Sequence, residues 1–383
     1  MLSAPVPPPA RLHALDGLRG VAALVVLLYH ASKIMQPELG PRGGLVFTVI
    51  ADSPAKLMFA GTEAVLVFFA LSGLVVALPA FRPGFSWRSY LGSRLVRLYL
   101  PVWAALLLAS VLVLLFPREA GVVTTGSWLD TSSAREVSPA ALLGEATLLQ
   151  RSYQIDNVLW SLRWEVLFSV LLPVFVGIAL VLRRVMWPAV LVALALSVAG
   201  RLLGVEALVY LPVFCAGTLL ASRIDDVRAW GARRSRAFWT AFGTASAGLL
   251  VAGWLLRPVV DPNSPSGEGL WGVAGAGAVG LVITAVGSRG AARALEARPA
   301  AWLGRVSFSL YLVHVPVLAT LAYLWGEAAW PTVLAVGIPA SLASAEVFTR
   351  LVERPSHRLA QAVRRAIARG AAPRLATLEP TER

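Results

Sequence analysis

Charged residues are scarce in this sequence. Only 14% of its 383 residues are charged, whereas 57% are hydrophobic, and the mean hydropathy is +0.71. An average soluble domain has about 25% charged residues, so the composition argues against a water-soluble enzyme. Lysine is almost absent, since Lys33 and Lys56 are the only two, and the formal charge of +13 comes almost entirely from arginine.

Cysteine is almost absent, and strand-like alternation is missing. The single cysteine, Cys215, cannot form an intrachain disulfide, and its apolar surroundings are typical of a small buried side chain. The apolar runs, such as GVAALVVLLY, are continuous and do not alternate with polar residues. Continuous runs exclude an outer-membrane β-barrel, whose strands alternate over about 10 residues.

Long apolar runs occupy most of the chain. A helix needs about 20 apolar residues to cross a bilayer, and short charged connections separate runs of this kind. The first run lacks a clear cleavage site, so we expect it to be retained. We predict an all-α, polytopic membrane protein with about ten transmembrane helices, at 18–35, 57–80, 95–116, 158–182, 185–200, 206–221, 237–256, 269–287, 302–325 and 332–352.

Arginine is concentrated in every second connection, and the other connections are neutral or acidic. Short loops rich in Lys and Arg stay in the cytoplasm. This alternation predicts cytoplasmic termini, a multi-pass protein of the cell (inner) membrane, and an outward-facing long connection, 117–156. The basic excess therefore indicates orientation and contact with anionic lipid, with no nucleic acid as partner. We divide the chain into a transmembrane domain, 1–355, and an Arg/Ala-rich cytoplasmic tail, 356–383.

The first span carries two ionisable side chains, Arg19 and His30. Eleven residues make about three helical turns, so both lie on one face, about 16 Å apart along the axis. A deep neutral imidazole can accept a proton from a hydroxyl group, and an arginine at the cytoplasmic end can bind a phosphate or carboxylate. Alternatively, His30 forms an interhelical hydrogen bond and Arg19 only anchors the span.

The second and third spans add further polar groups. Glu63 lies near the outer end of the second span, and Ser72 belongs to the segment FFALSG, where small residues also permit close helix packing. Arg94 and Arg97 share a helix face at the cytoplasmic end of the third span. Such a pair suits a polyphosphate, and contact with lipid phosphates is the alternative.

The fourth span places a carboxylate, Glu165, within the apolar region, and Ser161 shares its helix face. Trp160 lies beside them. An intramembrane carboxylate is a functional-site hypothesis by default, because it can orient a neighbouring imidazole; a structural salt bridge is the alternative. His314, in the ninth span, lies about as deep as His30 and indicates a polar cavity at mid-membrane.

Taken in order, six motifs make the chain resemble the membrane acyltransferase-3 family, which includes sugar O-acetylases of bacterial surface polysaccharides. The resemblance covers most of the chain and ends with the segments LGRVSFSLYLVH and VERP. Many members carry an acid where this chain has Leu66. Glu63, one turn earlier on a similar face, is the candidate to replace it; the alternative is a boundary residue in contact with water. The family's Arg-x10-His, FFxLSG, RxxR and WSLxxE motifs match Arg19 and His30; Phe68, Phe69, Ser72 and Gly73; Arg94 and Arg97; and Trp160, Ser161 and Glu165.

The resemblance implies an integral membrane O-acyltransferase. It would move an acyl group, with acetyl as the expected group, from cytoplasmic acyl-CoA to a hydroxyl of a carbohydrate or glycolipid. The resemblance implies no metal and no cofactor beyond acyl-CoA as co-substrate. In the implied site, His30 is the general base or acyl carrier and Glu165 orients it; Arg19, Arg94 and Arg97 bind the donor; and Glu63, Ser72, Trp160, Ser161 and His314 support them.

Two other classes of protein remain open at this point. A transporter or lipid flippase would use the same polar residues as a pathway, although such proteins often show inverted repeats and broken helices that are not evident here. A membrane scaffold or signalling protein would need neither His30 nor Glu165.

Overall fold

The computed structural model describes residues 13–39, 50, 52–150 and 152–370, and it contains helices and no strands over these ranges. Residues 371–383 of the predicted tail lie outside the described residues. The longer helices are α1 His13–Leu39, α2 Gly61–Ala77, α3 Trp87–Leu115, α6 Leu159–Leu182, α7 Met186–Leu202, α8 Glu206–Ser222, α10 Arg236–Leu250, α13 Ala274–Gly287, α15 Arg298–Trp325, α16 Trp330–Phe348 and α17 Arg354–Gly370. The shorter ones are α4 Trp128–Ser132, α5 Pro139–Ala146, α9 Ile224–Ala232, α11 Ala252–Leu255, α12 Pro265–Gly272 and α14 Arg289–Leu295.

A helical membrane architecture is confirmed by the length and apolarity of these helices. Within the described ranges, 7 helical segments qualify as membrane spans, or up to 8 if α8 and α9, bent by 75° at their junction, form one. One segment, Leu159–Leu202, has 44 residues. It would extend about 66 Å if straight, enough for two crossings of a hydrocarbon layer of about 30 Å. The count of ten spans and the cytoplasmic placement of both termini stay predictions.

Close glycine contacts hold α1 against α15. A β-carbon on Gly20 would lie 2.3 Å from the backbone nitrogen of Gly304, and one on Gly304 would lie 2.3 Å from the carbonyl oxygen of Asp16. Only glycine permits such an approach between two membrane helices. Because His30 follows Gly20 by ten residues and His314 follows Gly304 by ten, parallel helices carry both histidines about 15 Å beyond this contact.

Two apolar clusters meet along α1, α6 and α15. One cluster packs these helices against α2, α8 and α13, with Phe168 and Phe214 fully buried at its centre. The other packs them against α3, α16 and the outer connection, with Leu27 and Leu310 fully buried. The polar side chains of the three shared helices therefore lie at the seam between two apolar cores.

The long connection between α3 and α6 is folded and not an open loop. The buried carboxylate of Glu145 accepts hydrogen bonds of 2.7, 2.9 and 3.1 Å from the backbone N–H groups of Gln154, Ile155 and Asp156. The Asp156 side chain is fully buried, and loss of water together with the charge of Glu145 raises its pKa well above the usual range. Glu327, beyond α15, accepts a 2.7 Å hydrogen bond from the backbone of Thr124. These contacts fix α4 over the end of the helix bundle.

We predict that Gly217→Ala destabilises the protein by disturbing the contact between α2 and α8. The new β-carbon would lie 2.2 Å from the carbonyl oxygen of Ala70, a backbone atom that cannot rotate away. The expected loss of unfolding free energy is about 1–3 kcal/mol, measured by thermal unfolding in detergent. Gly177→Ala is the matched control, because nothing lies within 4 Å of its β-carbon position. Equal melting temperatures of the two variants would contradict this packing.

Candidate active site

Two buried histidines from α1 and α15 contact each other. Nδ1 of His30 lies 2.9 Å from Nε2 of His314, and the two side chains are 7% and 0% exposed. Nδ1 of His30 also lies 3.1 Å from the carbonyl oxygen of Val26, and Nδ1 of His314 lies 2.8 Å from that of Leu310. Each imidazole is therefore tied both to its own helix and to the other ring.

The two backbone carbonyls determine which ring nitrogen carries hydrogen. A carbonyl oxygen only accepts, so Nδ1 of His314 must donate to Leu310, which leaves Nε2 of a neutral His314 as an acceptor. Nδ1 of His30 then donates to this nitrogen. The assignment follows from the hydrogen-bond network, and it leaves Nε2 of His30 with a lone pair that can take a proton.

Two aromatic rings pack against His30. The ring centroid of Trp128, in α4 of the outer connection, lies 5.0 Å from that of His30, and the two rings are tilted by 35°. Tyr29 packs edge-on at the same centroid distance of 5.0 Å. The outer connection therefore covers the histidine pair with an indole ring. The sequence carried no signal for this role of Trp128.

Glu165 forms an ion pair with Arg94 and does not contact His30. Arg94 donates one hydrogen bond to the Glu165 carboxylate and one of 3.2 Å to Ser169. Ser72 donates to the same carboxylate oxygen at 3.0 Å. Glu165 therefore does not orient His30 as expected. Its carboxylate pairs with the guanidinium of Arg94 from α3, and His30 pairs with the imidazole of His314 from α15.

The Arg94–Glu165 pair lines a cavity of about 470 Å³. This size is within the usual range for small-molecule sites, about 300–1,000 Å³. Apolar side chains such as Phe68, Phe69 and Phe308 form much of the wall. Its polar lining consists of Asp16, Arg19, Ser72, Arg82, Arg94, Arg97, Ser161, Glu165, Ser307 and Tyr311. The cavity thereby brings together the three arginines singled out in the sequence, and it adds Arg82, which sequence reasoning passed over.

Positive charge is in excess in this cavity, where four guanidinium groups face two carboxylates. Arg94 is paired with Glu165, and Arg19 lies 3.9 Å from Asp16. Within the described part of the chain, Arg97 has no hydrogen-bond or ion-pair partner. A guanidinium without such a partner suits a phosphate or carboxylate ligand.

Tyr311 lies between the cavity and the histidine pair. Its ring lines the cavity and lies 6.1 Å, centroid to centroid, from the ring of His314. Its hydroxyl lies 2.6 Å from that of Ser161 and donates to the carbonyl of Val158 at 3.1 Å. Tyr311 precedes His314 by three residues, so helical spacing alone could have identified it.

Two residues expected in the site lie elsewhere. The Glu63 carboxylate accepts hydrogen bonds from the indole N–H of Trp254 at 2.8 Å and from the Thr62 hydroxyl at 2.9 Å, and it does not line the cavity. Trp160 packs against Tyr210 with centroids 5.7 Å apart. Leu66, at the position of the missing acid, is buried in the apolar core, so Glu63 does not supply a carboxylate at the cavity.

The residues of the site fall within a match to a known protein family. A family model described as an acyltransferase domain matches residues 12–350, which contain every side chain of the cavity and of the histidine pair. None of the curated proteins matches the chain, and none of the solved structures does. A match over this length shows the family. The chain belongs to the acyltransferase-3 family of membrane acyltransferases.

Proposed function

We propose that the protein transfers an acyl group, with acetyl as the expected group, from acyl-CoA to a hydroxyl of a carbohydrate or glycolipid. The observation that carries this proposal is the hydrogen-bond chain from Leu310 through His314 to His30, which leaves one basic nitrogen on a buried imidazole. Such a base can serve a reaction that moves a proton, and acyl transfer to a hydroxyl requires this.

His30 acts as the general base in this proposal. Its Nε2 takes the proton of the acceptor hydroxyl while the oxygen attacks the thioester carbonyl carbon and forms a C–O bond. The tetrahedral intermediate collapses, the C–S bond breaks, and the CoA thiolate leaves. The imidazolium of His30 then returns the proton to that sulfur, which yields the ester and free CoA. His314 holds the ring in place by accepting the Nδ1 hydrogen bond, as the aspartate does for the histidine of a Ser-His-Asp triad.

The arginine cavity is the proposed donor site. CoA carries several phosphates, and Arg19, Arg94 and Arg97 offer guanidinium groups that match phosphate geometry. Because acyl-CoA is made in the cytoplasm, this assignment places the cavity at the cytoplasmic face of the cell (inner) membrane, in agreement with the distribution of arginine. The tail, 356–383, would then be cytoplasmic as well.

Glu165 is proposed as a positioning residue for Arg94, since its carboxylate contacts that guanidinium and not the imidazole. Ser72 adds a second hydrogen bond that fixes the carboxylate. Ser161 similarly holds the hydroxyl of Tyr311. For the thioester to reach His30, Tyr311 or its neighbour Phe68, whose ring centroid lies 5.7 Å away, must move aside.

The acceptor is proposed to approach from the opposite side, beneath the outer connection. Trp128 covers His30 there, and tryptophan rings offer flat apolar faces to sugars. A donor from one face and an acceptor from the other would meet at His30. In a transporter or flippase, by contrast, one substrate would cross from one side to the other, and no acyl group would pass from a donor to an acceptor.

His30→Ala is expected to lower kcat for acyl transfer by at least about a hundredfold, because general-base catalysis contributes about 10²–10⁴ in rate. The measurement is release of CoA thiol from acetyl-CoA by purified protein with a sugar acceptor. His13→Ala is the control, since His13 is exposed at the first residue of α1. Both variants should insert and melt as the parent does; transfer at the parental rate by His30→Ala would end this assignment.

Arg97→Gln is expected to raise KM for acetyl-CoA by about ten- to a hundredfold with a smaller change in kcat. Loss of a charge-assisted hydrogen bond to a phosphate costs about 1.5–3 kcal/mol of binding. The control is Arg88→Gln, because Arg88 is exposed on the same helix and does not line the cavity. Acetyl-pantetheine, which lacks the nucleotide phosphates, should show no difference between Arg97→Gln and the parent. An equal KM effect with both donors would mean that Arg97 does not bind phosphate.

A further inference from the structure

A second concavity lies far along the chain from the site residues, where α10 begins and α13 ends. It is a groove of about 800 Å³ between α9, α10, α13 and α14. Its lining contains no aspartate or glutamate. Four of its lining residues are arginines, namely Arg234, Arg236, Arg289 and Arg293.

These arginines are available to a ligand. Arg236, Arg289 and Arg293 are exposed, and no ion pair or hydrogen bond to another described residue occupies their guanidinium groups. The guanidinium of Arg234 lies 4.9 Å from the ring centroid of Trp230 and is thereby held at the rim of the groove. Four unneutralised cations within one concavity repel each other, and an anion between them would relieve that repulsion.

We expect the groove to lie at the depth of the membrane–water interface. α13 belongs to the apolar segment Pro265–Gly287, which qualifies as a membrane span, and it ends at the groove. Trp230 and Trp239 flank the same end and pack edge-to-face, with centroids 5.7 Å apart. Tryptophans are enriched at the level of the lipid headgroups. A ligand in this groove would therefore meet lipid before it meets bulk water.

A trough of small side chains leads from the arginines along α10 and α13. Thr240, Gly243 and Thr244 form one side of it and Thr284 the other. From Arg236 to Thr244 the helix rises about 12 Å. This trough is long enough for part of an extended acyl chain, which a soluble anion would not need.

We propose that this groove is a binding site for an anionic phospholipid, whose phosphate contacts the arginines and one of whose acyl chains lies in the trough. Basic concavities between membrane helices at the cytoplasmic face bind anionic headgroups. The four arginines of the groove agree with a cytoplasmic position, because arginine is concentrated in the connections predicted to lie there. The site is distinct from the donor cavity, because the two share no lining residue. The proposal is independent of acyl transfer.

Native mass spectrometry of the full-length protein, titrated with phosphatidylglycerol or with phosphatidylcholine, tests this site. The double variant Arg289→Gln/Arg293→Gln should bind phosphatidylglycerol about 25-fold more weakly, since each charge near a membrane contributes about fivefold. Arg364→Gln/Arg365→Gln removes two exposed arginines from α17 and is the matched control, expected to keep parental affinity. Thermal melting of each variant checks that it is folded.

A second variant separates a lipid from a soluble anion. Gly243→Leu leaves every charge in place but fills the trough, and its β-carbon would lie 3.4 Å from Thr284, a contact that the side chain can accommodate. It should weaken phosphatidylglycerol binding at least fivefold while inorganic phosphate binding stays unchanged. Unchanged lipid binding by Gly243→Leu would overturn the proposal, as would equal effects of the two arginine pairs or equal binding of phosphatidylcholine.

Discussion

The hydrogen bond between two buried imidazoles is the interaction on which this account depends. An imidazole in an apolar core is costly unless its polar atoms have partners. His30 and His314 satisfy each other, and one backbone carbonyl on each helix sets the direction of the shared hydrogen bond. The same requirement explains Arg94 and Glu165, each of which would be an unpaired charge without the other. The two pairs differ in their chemistry: the imidazole pair leaves Nε2 of His30 as a free basic nitrogen, and the ion pair leaves no free base.

Helix packing makes the histidine contact possible. α1 and α15 approach at Gly20 and Gly304 so closely that no β-carbon fits between them, and they stay close for the ten residues that lead to the histidines. Apolar cores on either side hold α1, α6 and α15 in place. The polar groups therefore occupy a seam whose position is determined by small residues some 15 Å away.

Local spacing predicted part of this arrangement. Arg19 and His30 share a helix face because of the helical repeat, and the shared face of Arg94 and Arg97 follows from the same rule. Spacing within one helix cannot predict which side chains of other helices these residues contact. The pairing of Glu165 with Arg94 instead of His30 depends on how α3, α6 and α15 pack. Trp128 reaches His30 only because the outer connection folds onto the bundle.

Replacement of His314 tests the central claim most directly. The proposed role of His314 is to accept the Nδ1 hydrogen bond of His30. The amide oxygen of glutamine can also accept this bond, so His314→Gln should keep kcat for acyl transfer within about tenfold of the parent. His314→Phe offers no acceptor and should lower kcat by about a hundredfold or more, within the 10²–10⁴ range of general-base catalysis. Equal kcat values for the two folded variants would contradict the proposed role of the imidazole pair.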